Sequence, residues 1–179
     1  EQGGHAVADV LYGDYNPSGK LPVTFYKDDS VLKDFEDYSI KGYTYRYLET
    51  KPLFQYGFGL SYTSFRLSAP TLTSTGKKNG YKLSLDITNT GKKDGAEVVQ
   101  LYMRCVDDKE GPLKTLRGYS RVELAAGSTK QVTIDVPEST FERFDPQTNT
   151  MRVVPGNYEL LYGTSSDNKD LKKLKVIVE

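Results

Sequence analysis

The segment Asp34-Phe-Glu-Asp-Tyr38 places three carboxylates, Asp34, Glu36 and Asp37, within four residues. Carboxyl pairs about 5 to 9.5 Å apart are what acid–base cleavage of a glycosidic bond requires. Adjacent carboxylates in a loop that also carries lysine are usually a solvated face, so no catalytic residue is assigned there. His5 is the only histidine. That excludes a multi-histidine metal site and leaves a Ser/His/Asp triad dependent on His5 itself. Its position at the start of a helical pattern makes it a helix-start residue. Gly3-Gly4 could offer backbone N–H groups to an anion. The preceding strand and the fuller glycine pattern of a phosphate loop are missing, however. Cys105 is the single cysteine, which rules out an internal disulfide. Its flanks, Tyr102-Met-Arg-Cys-Val106, suggest a packing thiol at a strand end. No metal site and no cofactor are expected, and substrate-binding residues are left unassigned.

Aromatic usage says more. The chain has 14 Tyr, 7 Phe and no Trp. Tyrosine favours half-buried β surfaces, where the ring packs and the hydroxyl stays wet, although a sugar-binding cleft would use the same side chains. In Gln55-Tyr-Gly-Phe-Gly-Leu-Ser-Tyr62 aromatics and glycines alternate. The segment reads as an aromatic latch rather than a sugar-stacking rim, because Leu60, Tyr62 and Phe65 lead straight into the first strand.

The remaining composition bounds the class. At 179 residues the chain suits one domain, or one domain with an appendage. With 24 basic and 24 acidic residues the net charge is zero, so no footprint for nucleic acid or an anionic membrane exists. No apolar run approaches the roughly 20 residues that cross a bilayer.

These residues need elements to position them. Gly4 to Tyr12 reads as a helix, with Ala6, Val7, Val10 and Leu11 on one stripe, Gly13 as its stop and Pro17 and Gly19 in the following turn. Leu21 to Phe25 follows as a short strand. Tyr26 to Lys51 has neither period but is rich in aromatics. It is expected to form an ordered extended arm rather than a disordered linker. From Ser64 the pattern is regular β. Candidate strands are 64–70, 81–88, 96–104, 116–124, 128–136, 157–163 and 171–178, separated by turn residues such as Asn89-Thr-Gly91 and Pro155-Gly-Asn157. Alternation in Tyr81-Lys-Leu-Ser-Leu-Asp-Ile87 and Gln131-Val-Thr-Ile-Asp-Val136 gives each sheet one wet face. The pattern predicts a mainly β chain. Its fold is an immunoglobulin-like antiparallel sandwich of the fibronectin type III kind, since paired cysteines are missing. Expected core residues are Leu83, Leu85, Ile87, Val98, Leu101, Val132, Ile134, Tyr158, Leu160 and Val176.

A helix, a turn and one strand are half of an α/β unit without its sheet, so the chain is expected to be the C-terminal piece of a larger enzyme. Gly3-Gly-His-Ala-Val-Ala-Asp-Val-Leu-Tyr-Gly-Asp-Tyr-Asn-Pro-Ser-Gly-Lys-Leu-Pro-Val-Thr-Phe25 resembles the last helix and strand of the α/β sandwich domain of glycoside hydrolase family 3. Pro52-Leu-Phe-Gln-Tyr-Gly-Phe-Gly-Leu-Ser-Tyr-Thr-Ser-Phe65 is similar to the segment that leaves that domain. Leu116-Arg-Gly-Tyr-Ser-Arg-Val-Glu-Leu124 and Pro155-Gly-Asn-Tyr-Glu-Leu-Leu-Tyr-Gly-Thr-Ser-Ser-Asp167 resemble stretches of its fibronectin type III-like domain.

The resemblance implies three parts: 1–25 as a remnant of the α/β domain, 26–63 as a connecting arm and 64–179 as the fibronectin-like domain. It also implies retaining β-glucosidase or β-xylosidase activity for the parent protein. In that family the nucleophilic Asp lies in an N-terminal barrel and the acid/base carboxylate ahead of this helix. Neither has a matching position here, and Glu1 is not equated with the latter. Gly42-Tyr-Thr-Tyr-Arg-Tyr47 is closer to xylosidase-like members. The expected function is an accessory, non-catalytic portion of a β-glycosidase. A carbohydrate-binding module and a free-standing fibronectin-like interaction domain are the alternatives. Expected partners are the rest of the parent, an oligo- or polysaccharide, or a second copy through the helix, and the implied location is extracytoplasmic.

Overall fold

The computed structural model describes residues 2–179. Helix α1 spans Gly3–Tyr12 and ends at Gly13, whose φ of 82° lets its N–H turn back to the Val10 carbonyl at 3.2 Å. The turn after it is tied down by Asn16. Its amide donates to the Asp94 carbonyl at 2.8 Å, and its Oδ1 accepts from Ser61 Oγ and the Tyr62 N–H.

The predicted strand from Leu21 to Phe25 does not form as such. Leu21 N–H donates to Phe58 O and Gly57 N–H to Leu21 O, both at 2.8 Å, and Phe25 makes one antiparallel bridge to Phe54. Pro22, which has no N–H to give, interrupts the ladder between these contacts. The arm is ordered as expected, but it is not extended. It contains one turn of 3₁₀ helix at Asp29–Val31 and a single α-helical turn, α2, at Thr44–Tyr47. Tyrosine hydroxyls hold it: Tyr43 Oη accepts the Lys33 N–H at 2.5 Å and Tyr26 Oη accepts the Thr44 N–H at 3.1 Å. These bonds join residues 10 and 18 positions apart, so no period in the sequence announces them.

The rest is the predicted sandwich. In the first sheet the central strand β3 (Tyr81–Asn89) pairs on one edge with β1 (Phe65–Leu67) and β2 (Thr71–Ser74). Its other edge pairs with β6 (Thr129–Val136). β1 and β2 are one strand broken at Ala69-Pro70, and the sequence pattern recognises only its first half. The second sheet runs β10 (Lys172–Val178), β9 (Gly156–Gly163), β4 (Gly95–Cys105), β5 (Thr115–Leu124), with every pair antiparallel.

A hairpin of β7 (Glu142–Asp145) and β8 (Thr150–Val153) was not legible in the sequence. It is short, and a buried carboxylate organises its turn. Asp145 accepts from the Gln147 N–H at 3.0 Å, Thr148 Oγ1 at 3.2 Å and Arg152 Nε at 2.6 Å. The Arg152 bond foremost, with the Gln147 amide, holds the Asp145 carboxyl below its usual range.

The core joins Leu83, Leu85 and Ile87 to Val132, Ile134, Leu101, Tyr158, Leu160 and Val176, as expected, with Cys105 buried among them. One expectation fails. Val98 lies on the opposite face of β4 from Val99, Leu101 and Met103, and it is Val99 that enters the core. Strand side chains alternate, so Val98 and Leu101 could never share a face. Phe141, fully buried in the 3₁₀ turn before β7, meets Tyr158 edge-on at 5.4 Å and closes one end of the core.

Leu85→Ala should lower stability by roughly 2 to 5 kcal/mol, as expected for a buried Leu that leaves a cavity. Val98→Ala should cost clearly less. Urea denaturation of both variants checks the assignment, and equal midpoint shifts would contradict it.

Candidate functional site

The arm lies against the outer face of the second sheet, and this seam is where sequence-distant polar and aromatic side chains converge. β4 supplies Val98, Gln100 and Tyr102 to that face, opposite to its core residues. Gln100 is 3% exposed, and its amide is fully used: Nε2 donates to Thr164 O at 2.7 Å and to Gly57 O at 3.3 Å, while Oε1 accepts from Tyr102 Oη. Tyr45 of α2 stacks on Tyr56 with centroids 4.4 Å apart and meets Tyr102 edge-on at 5.8 Å. Burial pushes the phenols of Tyr102 and Tyr56 above their ordinary range. The Tyr45 hydroxyl in turn accepts the Leu116 N–H at 3.2 Å, and the Arg46 carbonyl accepts the Leu113 N–H at 2.7 Å.

The loop after β9 is caught in the same seam. Ser166 N–H donates to Tyr56 O at 2.9 Å and Gln55 Nε2 to Asp167 Oδ2 at 3.0 Å. From below, buried Lys114 donates to Ser166 O at 2.7 Å and to Asn168 Oδ1 at 2.5 Å. Burial lowers the Lys114 pKa, opposed by the nearby Asp167 charge. Further along, Lys20 and Glu97 form an ion pair at 2.5 Å with both side chains largely buried. The glycines of the latch have a steric cause. Gly57 sits at φ 78°, and a Cβ there would stand 2.3 Å from Gln100 Oε1. A Cβ on Gly59 would stand 2.5 Å from the Gly19 carbonyl oxygen.

The carboxylates singled out in the sequence fall elsewhere. Asp34, Glu36 and Asp37 are exposed on the arm, with Asp34 accepting the Glu36 N–H and Asp37 the Ser39 N–H within one-residue turns. Hydrogen bonds from Ser39 hold the Asp37 carboxyl below its usual range. His5 is exposed on α1, within 2.9 Å of Gln2 Oε1. Gly3 and Gly4 begin that helix, and neither meets any group that a side chain would displace. Among the described residues no group of three or more His, Cys, Asp or Glu side chains could hold a metal ion. Gln100 and Lys114 were missed in the sequence. The usable signal was Val98-Val-Gln-Leu-Tyr102, a run too apolar for a strand with one wet face, with a single amide inside it.

Residues 97–166 match the fibronectin type III-like domain, and residues 1–62 match the glycosyl hydrolase family 3 C-terminal domain. The chain belongs to glycoside hydrolase family 3. It is the C-terminal region of that family, with its fibronectin type III-like domain. A xylan 1,4-β-xylosidase of Xylanibacter ruminicola is 51% identical over 98% of this chain, which spans 20% of that relative. A periplasmic β-glucosidase of Salmonella typhimurium is 34% identical over 92% of the chain, which spans 23% of it. Among solved structures, the β-glucosidase DesR of Streptomyces venezuelae in complex with D-glucose superposes with a TM-score of 0.86 at 36% identity. That match covers 99% of this chain and 25% of DesR. Thus the family 3 chain spans about a fifth to a quarter of the relatives it matches.

Gly57→Ala should unlatch the arm at a cost of about 1–3 kcal/mol, because a non-glycine residue would be forced to a positive φ against Gln100. Hydrogen exchange should speed up at the Leu116 and Ser166 amides and stay unchanged at Leu85. Unchanged exchange at all three would show that the latch does not hold the arm.

Proposed function

We propose that this chain is the bracing, non-catalytic C-terminal portion of a secreted or periplasmic β-glycosidase, and that the parent acts on terminal β-xylosides or β-glucosides. The observation that carries the reading is the contrast between its two ends. The sandwich is closed, whereas α1 and the segment after it bury no apolar face: Val7 is 60%, Leu11 72% and Val23 51% exposed. A helix cannot leave such a stripe in water without a partner, and burial is worth roughly 25 cal/mol per Å². The remainder of the parent's α/β domain is the matching occupant, and residues 1–25 would complete it. Residues 26–63 act as the arm that fixes it to the fibronectin-like domain at 64–179. On this reading no residue of the chain is catalytic, and the arm carboxylates Asp34, Glu36 and Asp37 are solvated, with Asp34 and Asp37 forming turns.

Higher identity to a β-xylosidase than to the β-glucosidase favours pentosides. The periplasmic relative favours an extracytoplasmic home. Among the described residues no helix is long and apolar enough to cross a membrane.

Two measurements test the proposal. The purified chain should not turn over aryl β-xylosides or β-glucosides above a heat-treated control. Turnover that disappears on mutating one of its own carboxylates would overturn the non-catalytic assignment. Deprived of its partner, the chain should self-associate through α1, and deleting residues 1–12 should leave the β domain folded while reducing any oligomer. A chain that stays monomeric at high concentration, with α1 protected from hydrogen exchange, would show that the stripe is satisfied within one molecule.

A further inference from the structure

Beside the seam, a cleft of about 320 Å³ opens between α2, the edge of β4 and β5, and the β7–β8 hairpin. Three arginines line it, Arg46, Arg117 and Arg143, and they come from three separate parts of the chain. Each guanidinium presents five N–H donors in a planar fork. Arg46 gives none of its side-chain donors to any described residue, and its guanidinium lies 5.7 Å from the Tyr47 ring centroid. Arg117 gives Nη2 to the Glu142 carbonyl, and the Glu142 charge offsets part of its burial. Arg143 pairs with Asp108 at 3.1 Å. The Nε atoms of all three are buried without a hydrogen-bond partner. Acceptors are correspondingly few. Asp108 is engaged by Arg143, and Glu110, the other carboxylate of the lining, is engaged by Lys41.

The buried Nε atoms are closed to the cleft, so the ends of the guanidinium forks, Nη1 and Nη2, are the donors a ligand there would meet. Two like charges also sit close together here. Burial, and after it the neighbouring Arg46 charge, lower the Arg117 pKa. A fold would not gather them without a gain elsewhere, and an anion would supply it. The geometry points to a binding site for a small organic carboxylate of sugar-ring size, a hexuronate in chemical class, with Arg46 and Arg117 holding the carboxylate and the apolar walls holding the ring. Guanidinium forks match a carboxylate bidentately. The volume suits one monosaccharide rather than a bare inorganic ion. Met103, Phe144, Pro112 and Met151 give the walls the apolar surface that an inorganic ion would not use. This inference does not rest on the role proposed for α1, and its test reads binding alone.

Titration of the whole 179-residue chain with glucuronate, followed by amide chemical shifts, checks it. Saturable shifts at Arg46, Arg117 and Met103 are expected, with a dissociation constant on the order of 1 mM. Glucose should produce none, and inorganic phosphate should bind at least tenfold more weakly. Arg46→Gln and Arg117→Gln should each weaken glucuronate at least tenfold. Arg46→Lys, which keeps the charge but loses the fork, should weaken it as well, with circular dichroism confirming that each variant is folded. No saturable shift with glucuronate, an equal response to glucose or phosphate, or a folded Arg46→Gln that binds normally would each overturn the assignment.

Discussion

The structure depends on β4 being buried on both faces. One face carries Val99, Leu101 and Met103 into the sandwich core, and the other carries Gln100 and Tyr102 under the arm. A strand covered twice cannot give its polar side chains to water, so each must be satisfied from the covering segment. Gln100 meets that demand. Its single amide ties β4 to the backbone at Gly57 and to the loop after β9, and the only way to bring Gly57 close enough is to leave it without a side chain. The alternation of aromatic and glycine in the latch is therefore a packing solution. The rings of Tyr56 and Phe58 pack, and Gly57 and Gly59 beside them let the backbone approach.

The same demand explains the tyrosines. Rings of Tyr26, Tyr43, Tyr45 and Tyr56 exclude water from the arm and the seam, while three of their hydroxyls accept backbone N–H groups that no strand or helix would pair. Phenylalanine would have packed as well and left those donors orphaned. An arm without regular secondary structure can stay ordered this way, because its backbone groups are paired by side chains. Its order is set by these hydrogen bonds and by contact with the sheet.

Lys114 belongs to the same logic, as a buried ammonium held by a carbonyl and an amide oxygen, with Asp167 offsetting part of its desolvation. The arginine cleft next to it does not. There the donors outnumber the acceptors, and two of the stretches similar to the family, around Arg46 and around Arg117, meet at its walls. Among the described residues the other buried side-chain polar atom without a partner is Thr24 Oγ1, so the imbalance is concentrated at the arginines.

The sequence determined the sandwich, because two-residue alternation in β3 and β6 and turn residues between strands are local signals with one physical solution. It determined the helix and its stop at Gly13 by the same means, and long ordered motifs carried the family. It misplaced Val98, since a run apolar on both sides of a single amide, Gln100, has no clear period from which to choose a face. Only the tertiary structure decided what lies beyond one strand's reach. The Asp145 hairpin and the folded arm are held by side-chain hydrogen bonds that leave no periodic trace, and the edge strand breaks at Ala69-Pro70. The pairing of Gln100 with Gly57 spans 43 positions, and the convergence of Arg46 with Arg117 and Arg143 has no local cause at all. Periodicity reports which way a side chain points from its own element, whereas a site is made where elements distant in the chain are packed together.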